Sequence, residues 1–518
     1  MLYSHLIRFA RVALPLVLFC LLAASRPGHI AEAAGNIAVN TTTDEFGTGA
    51  NCALREAVQS AITDSNFGGC TRSGTPPYTI NIPAGTYNLT LTGSNEEGNA
   101  TGDIDLTVSM TLIGAGQGVT IIDGQAADRI FDVNGDSSAG DTVTLQDMTV
   151  RNGSTTDFGG GIDVNNIGGS NVTFTRMTVT SNTTTGFGGG IRCGVSTTCT
   201  VNDNTITNNS AGTDGTGSGG GLNCTSCAFS MNNTTVTNNS VGDTSGSGAD
   251  AGGGLALAGT NTQIVTNSTF SNNRSDSDGG GIDSAGTGTV SISNTTISGN
   301  QAKVNGGGLN FDNTGSLTLS FVTITNNTAD SDTGGTSGDG GGLYRGGSVA
   351  LTLRNSIVQG NSDLSGAATA DCSGTITSGN YNVIGSGTGC PTDTNTTTAS
   401  ALLGGLADNG GPTLTHFPAG GSSAIERVPV GATGCTGGGG TLDQRGAYRA
   451  NGAGAGNSAC DSGAVEGDSS SGPTAITLSR TTLSGGAQPL PTILLLGLLV
   501  LAVITWRMPR RPTTGEKR

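Results

Sequence analysis

Seven glycine triplets, each followed by Ile or Leu, begin at Gly159, Gly188, Gly219, Gly252, Gly279, Gly306 and Gly340. Each leads to an asparagine: Asn182, Asn209, Asn239, Asn273, Asn300, Asn327 and Asn361. The triplet-to-asparagine spacings are 23, 21, 20, 21, 21, 21 and 21 residues, whereas the gaps from each asparagine to the next triplet are 6, 10, 13, 6, 6 and 13. Length is held inside the unit and released at one corner. Such a period belongs to a solenoid whose variable loops gather on one face.

The apolar residues keep the same beat. From Gly279 they fall at Ile282, Val290, Ile292 and Ile297, and from Gly306 at Leu309, Leu317, Leu319 and Ile324. The Gly340 unit gives Leu343, Leu351, Leu353 and Val358, and the Gly188 unit Ile191, Cys199, Val201 and Ile206. The middle pair differs by two, the strand period, and no helical spacing fits the set. One coil of three short strands has too little apolar surface to fold alone. Stacked about 4.8 Å apart, successive coils bond edge to edge and bury a continuous column. The expected fold is all-β, a right-handed parallel β-helix with N- and C-terminal caps and one C-terminal transmembrane helix.

Glycine at a corner supplies positive φ and lets backbones approach, while asparagine tolerates the left-handed region and bonds neighbouring backbone. The asparagine row is therefore expected to be structural, a ladder of amides along one edge. Glycine makes up 89 of 518 residues and aromatics only 4%, a composition that could accompany disorder. The fixed apolar offsets argue against it, because a disordered chain needs none.

The termini have their own character. Residues 1–33 resemble a secretory leader, with His5, Arg8 and Arg11 before an apolar stretch and Ala31-Glu32-Ala33 as the cleavage site. Leu490 to Trp506 is an apolar run at the short limit for a membrane span, followed by Arg507, Arg510, Arg511, Lys517 and Arg518. The positive-inside rule puts that tail in the cytoplasm. The formal charge is −16, and removing the basic ends makes the exported portion more negative still. Such a field repels phosphate backbones, so nucleic acid is not an expected partner.

Cys20 leaves with the leader, and ten cysteines remain, an even number for an oxidising compartment. Proximity pairs Cys52 with Cys70, Cys193 with Cys199, Cys224 with Cys227, Cys372 with Cys390 and Cys435 with Cys460. The expected segments are a leader (1–33), an N-terminal cap (34–75), the repeats (76–365), a C-terminal cap (366–468), a linker (469–489), the span (490–506) and the basic tail (507–518).

Two flanking signatures bracket the repeats. Before them stands Asn51-Cys52-Ala53-Leu54-Arg55-Glu56-Ala57-Val58, whose LREAV core forms a short helix by sequence. After them come Asp408-Asn409-Gly410-Gly411-Pro412-Thr413-Leu414-Thr415-His416, Leu442-Asp443-Gln444-Arg445-Gly446 and Cys460-Asp461-Ser462-Gly463-Ala464-Val465-Glu466. The GGGI/GGGL elements and Phe270-x-x-Asn273 resemble the repeats of polymorphic outer-membrane proteins. The first flank is similar to the CSLREA motif of bacterial surface β-helix proteins, and the second resembles the choice-of-anchor domain. The departures are Val or Ile for most of the repeat phenylalanines, Cys52-Ala53 for Cys-Ser, and Glu426 where that domain has Asp. The resemblance implies display at the cell surface, tethered or released by processing, with an adhesin-like or structural role and no defined ligand. A glycan or a matrix protein is the expected kind of partner.

Catalysis has to be weighed separately, since parallel β-helices also carry polysaccharide lyases and hydrolases. His416 is the only histidine outside the leader, and the repeats contain no Asp-Asp dipeptide. Arg192, Arg274, Arg345 and Arg354 form no recognisable constellation with the acids. No catalytic residue or organic cofactor is assigned, and the chain is expected not to be an enzyme, with a pectate-lyase-like polysaccharide-acting enzyme as the alternative. Cys224-Thr-Ser-Cys227 has the spacing of half a zinc site, but no second CxxC or neighbouring His accompanies it. Calcium is the candidate cofactor, with Asp276, Asp278, Asp330, Asp332 and Asp339 of the corner loops as candidate ligands, because hard cations take several oxygens at flexible spacing.

Overall fold

Each repeat closes into one coil of a parallel β-solenoid of about ten turns, seen in a computed structural model. The described residues are 34–467, apart from 95, 97, 134–139, 166–168, 243–250, 313, 333–337, 348–349, 367–368, 437–439 and 450–458. The coil that begins at Gly279 shows the design. Its strands are Ile282–Gly286, Thr289–Ser298 and Gln301–Ala302, and they belong to three separate sheets of ten, 22 and eight strands. Val290 and Ile292 point inward while Thr289 and Ser291 point outward. Asn294 then adopts φ 47°, which bends the strand so that Ile297 turns inward again. The first glycine of every triplet has φ between 62° and 75°, the left-handed turn into the ten-stranded sheet.

Equivalent aliphatics stack. Ile282 pairs with Leu309 and Leu309 with Leu343, and all three are fully buried. The same register carries Val290 onto Leu317 and Leu351. The sequence expectation of an all-β parallel solenoid is met. Parallel pairing also runs beyond residues 76–365: Ala34–Ala38 pairs with Thr75–Ile82, and Ile357–Val358 pairs with Val383–Ile384.

Among the described residues a single helix, α1 (Leu54–Ile62), closes the N-terminal end. Glu56 accepts a bond from the Ala53 amide at its start, and Leu54, Ala57, Val58 and Ala61 join the apolar column. Arg55 is buried on the other side, paired with Asp44 at 2.6 Å and donating to the carbonyl of Asp103. The cysteines are joined as Cys52–Cys70, Cys193–Cys199, Cys224–Cys227, Cys372–Cys390 and Cys435–Cys460. Beyond the last coil the chain folds back on the 22-stranded sheet. Thr413 donates to Asn267 O, Gln444 to Ser268 O, and Ala464 N to Thr323 Oγ1.

No helix among the described residues is long and apolar enough to cross a membrane. The expected span at Leu490–Trp506, the leader and the basic tail lie outside the described residues, so the transmembrane part of the expected fold is not supported here.

Candidate functional site

The asparagine row lies inside the wall. Asn182 Nδ2 donates to Asn209 Oδ1 at 2.9 Å, and the same bond repeats through Asn239, Asn273, Asn300 and Asn327 to Asn361. The ladder ends on Asp371, whose Oδ1 accepts from both Asn361 N and Nδ2. Asp371 is a member of the row that sequence reasoning missed. Its acceptor-only carboxylate terminates a chain of donors. Every rung is buried, so the row faces no ligand.

The eight-stranded sheet is different, because its two-residue strands leave an open face. Arg274–Ser275 stacks on Gln301–Ala302, bringing Lys303 beside the coil before it. Asp276 sits between two cations, with Arg274 Nη2 2.8 Å and Lys303 Nζ 3.0 Å from its oxygens. The Arg274 side chain is half exposed, whereas Asp276 is covered. Thr213, Ser240, Val241 and Gly242 complete a cavity of about 540 Å³. Gly242, at φ 105°, is needed there, since a Cβ would run into the Asp276 side chain. Thr213 also borders a second depression of about 390 Å³, lined by Ser94, Ala126, Ala127, Asp128, Ser154, Thr155, Thr156, Thr183, Thr184 and Thr185. The two meet at Thr213 as a groove rich in hydroxyls, cationic at one end and carrying Asp128 at the other. Such a surface can hydrogen-bond sugar hydroxyls and neutralise a carboxylate.

A second cluster lies on the outer side of the ten-stranded sheet. Asp105 stacks on Asp132, Asp132 on Asp163, and Asp163 on Arg192. Arg129 lies across the acids, 3.1 Å from Asp103, 3.3 Å from Asp132 and 3.1 Å from Asp163. Arg192 contacts Asp163 at 3.2 Å and packs over the Phe158 ring at 4.2 Å. Burial raises the Asp103 carboxyl to about 7, with Asp105 adding to it, and burial likewise holds Asp132 well above its usual range. Asp103, Asp105 and Asp132 are the described residues placed to share a metal ion.

The calcium candidates read from the corner loops are not gathered this way. Asp276 is satisfied by Arg274 and Lys303, Asp278 accepts from Asn305 N at 2.9 Å, and Asp339 accepts from Thr369. Asp330 is buried, whereas Asp332, two residues on in the turn, is exposed. Sequence reasoning missed Lys303 and the Asp103 cluster. The signal for the latter was present in Ile104-Asp105, Phe131-Asp132 and Ile162-Asp163, the same apolar-acid pair in three coils. His416, the one histidine among the described residues, is buried. Its ring contacts Ser298 Oγ at 2.8 Å and Gly404 O at 2.7 Å, in no cavity with an acid or base partner.

Burial raises two further carboxyls, Asp283 and Asp461, to about 7. Asp283 faces Asn310, Asp278 and Asp312, and Asp461 faces Glu466 and Arg449. A raised carboxyl keeps its proton in the folded chain where the unfolded chain has lost it. Stability from these groups is therefore present at acid pH and lost as pH rises from about 4 through about 7. His416, lowered by burial, acts oppositely below its usual value near 6.5. The expected outcome is a denaturant midpoint higher near pH 5 than near pH 8. Asp283→Asn should flatten part of that slope, and a wild-type midpoint that climbs towards pH 8 would contradict it.

No protein-family model matches the chain, and no curated protein is significantly similar to it. Two solved structures are similar. One is the crystal structure of pectate lyase Pel9A, with TM-score 0.38 and 13% identity, covering 76% of this chain and 88% of that one. The other is the Azotobacter vinelandii mannuronan C-5 epimerase AlgE4 A-module, with TM-score 0.31 and 14% identity, covering 69% of this chain and 98% of that one. Both are enzymes by name, which runs against the expectation that this chain is not one. Likeness at this level fixes no activity; that question rests on the groove itself.

Proposed function

We propose that this chain is an exported, disulfide-braced β-solenoid that acts on an acidic polysaccharide, held along the groove of the eight-stranded sheet. The observation that supports the reading is the pairing of Arg274 and Lys303 around Asp276 at the end of a hydroxyl-lined depression. Lys303 is the only lysine of the sequence outside the C-terminal tail, in a chain of charge −16. A polyanion is repelled by most of this surface, so a local pair of cations decides where it can settle. A uronate carboxylate at Arg274 and Lys303 would have its charge neutralised, which acidifies the proton on the adjacent carbon. Five disulfides support an oxidising compartment. Tethering through residues 490–506 belongs to the same proposal, and mass spectrometry of the mature C-terminus tests it.

The direct test is binding to, and product release from, polygalacturonate and alginate, with a neutral glucan as control. The double variant Arg274→Gln, Lys303→Gln should lose at least about tenfold in affinity, equivalent to ~1.4 kcal/mol, with its melting transition retained. Equal binding by wild type and double variant, or no preference for the acidic polymers, would remove the proposal.

A further inference from the structure

We infer that Asp103, Asp105 and Asp132 form a calcium site that clamps the first coils of the solenoid to the loop beneath α1. Each of the three offers an oxygen, and these oxygens lie within 4.8 Å of one another. Calcium–oxygen bonds are about 2.4 Å long, so two ligands on opposite sides of one ion stand about 4.8 Å apart. The set contains neither His nor Cys, which suits a hard cation.

A second observation concerns Asp132 itself. Asp132 is more than nine-tenths buried, and its Oδ1 has no hydrogen-bond partner. Its other oxygen is occupied by Arg129 at 3.3 Å. A buried carboxylate oxygen without a donor is costly, and a cation satisfies it. Charge supports the same conclusion. Arg129 is shared among Asp103, Asp132, Asp157 and Asp163, and Arg192 is a second cation on Asp163. With Asp105 the acids outnumber the guanidiniums, and a divalent ion would offset the excess.

The ligand frame is already built. Asn99, buried at φ 64°, exchanges backbone and side-chain bonds with Asp105: its N donates to Oδ2 at 3.2 Å, and its Oδ1 accepts from Asp105 N at 2.9 Å. Arg55 of α1 donates to the carbonyls of Gly102 and Asp103. Strand pairing sets Asp132 directly over Asp105. An ion there would tie the cap loop, the first coil and the second coil together, where the column ends and has fewest neighbours.

The test uses the full chain stripped with a chelator and titrated with calcium chloride, and in parallel with magnesium chloride. Saturable binding of one calcium per chain is expected, with Tm raised by about 5 °C at millimolar calcium and a smaller rise with magnesium. Asp132→Asn should abolish the gain, and Asp278→Asn, in a corner loop, should keep it. Hydrogen exchange on the wild type gives a readout that needs no variant: calcium should slow exchange at residues 99–105 and 130–133. Absence of saturable binding, protection confined to the corner loops, or an undiminished gain in Asp132→Asn would each overturn the site. Loss of calcium binding with polysaccharide binding intact would separate this site from the groove.

Discussion

Gly307→Ala is expected to destabilise the solenoid by about 3 kcal/mol or more, or to prevent soluble folding. Gly307 is the middle residue of its triplet. A Cβ there would lie 2.6 Å from Gly341 O in the next coil and closer still to the Thr328 carbonyl in its own. All of these are backbone atoms, fixed by strand pairs on either side, so no rotamer change can relieve the overlap. The neighbouring coils would have to separate, and each coil depends on its neighbours for both its hydrogen bonds and its apolar cover. Gly405→Ala is the matched control. Nothing lies within 4 Å of a Cβ at that position and its φ is ordinary, so the change should stay within about 0.5 kcal/mol. Denaturant midpoints of the two variants decide the matter; equal midpoints would refute close corner stacking as the reason for the triplets.

Asn300→Ala carries the second large effect, about 3–5 kcal/mol. Asn300 is fully buried, and its Nδ2 donates to Phe270 O at 3.0 Å and to Asn327 Oδ1 at 2.9 Å. Its Oδ1 accepts from both the backbone N and the Nδ2 of Asn273. Truncation therefore leaves a buried backbone amide without an acceptor and a carbonyl without a donor, in a wall too tight to admit water easily. Because coils unfold partly in series, one global midpoint understates the damage. Hydrogen exchange at the amides of residues 270–301 gives the local figure. Exchange there no faster than in wild type would contradict the load assigned to the ladder.

Both effects trace to features visible in the unfolded sequence. Ile282, Leu309 and Leu343 follow their triplets by the same number of residues, and in the structure they stack. The asparagine row was visible for the same reason, and so were the cysteine pairs, each at most 25 residues apart. The candidate sites were less legible. Asp276 stood out as an acid and Arg274 as one cation among several, but Lys303 belongs to the following coil and carried no local signal. The acids of the ten-stranded sheet were overlooked because Asp103 sits outside the triplet repeats, in an irregular first coil. Asp371 was missed because it ends the ladder without being an asparagine.

The sequence alone determined coil length, the inward positions and the corner that tolerates insertions. Those follow from strand alternation and backbone conformation, which act over a few residues and print themselves at fixed offsets. Only the tertiary structure decided which outward side chains meet. Arg274 and Lys303 become neighbours because adjacent strands lie about 4.8 Å apart in register. That register is set by the whole stack and by corner loops of unequal length. A lateral contact of this kind has no constant spacing along the chain, so it leaves no period to find.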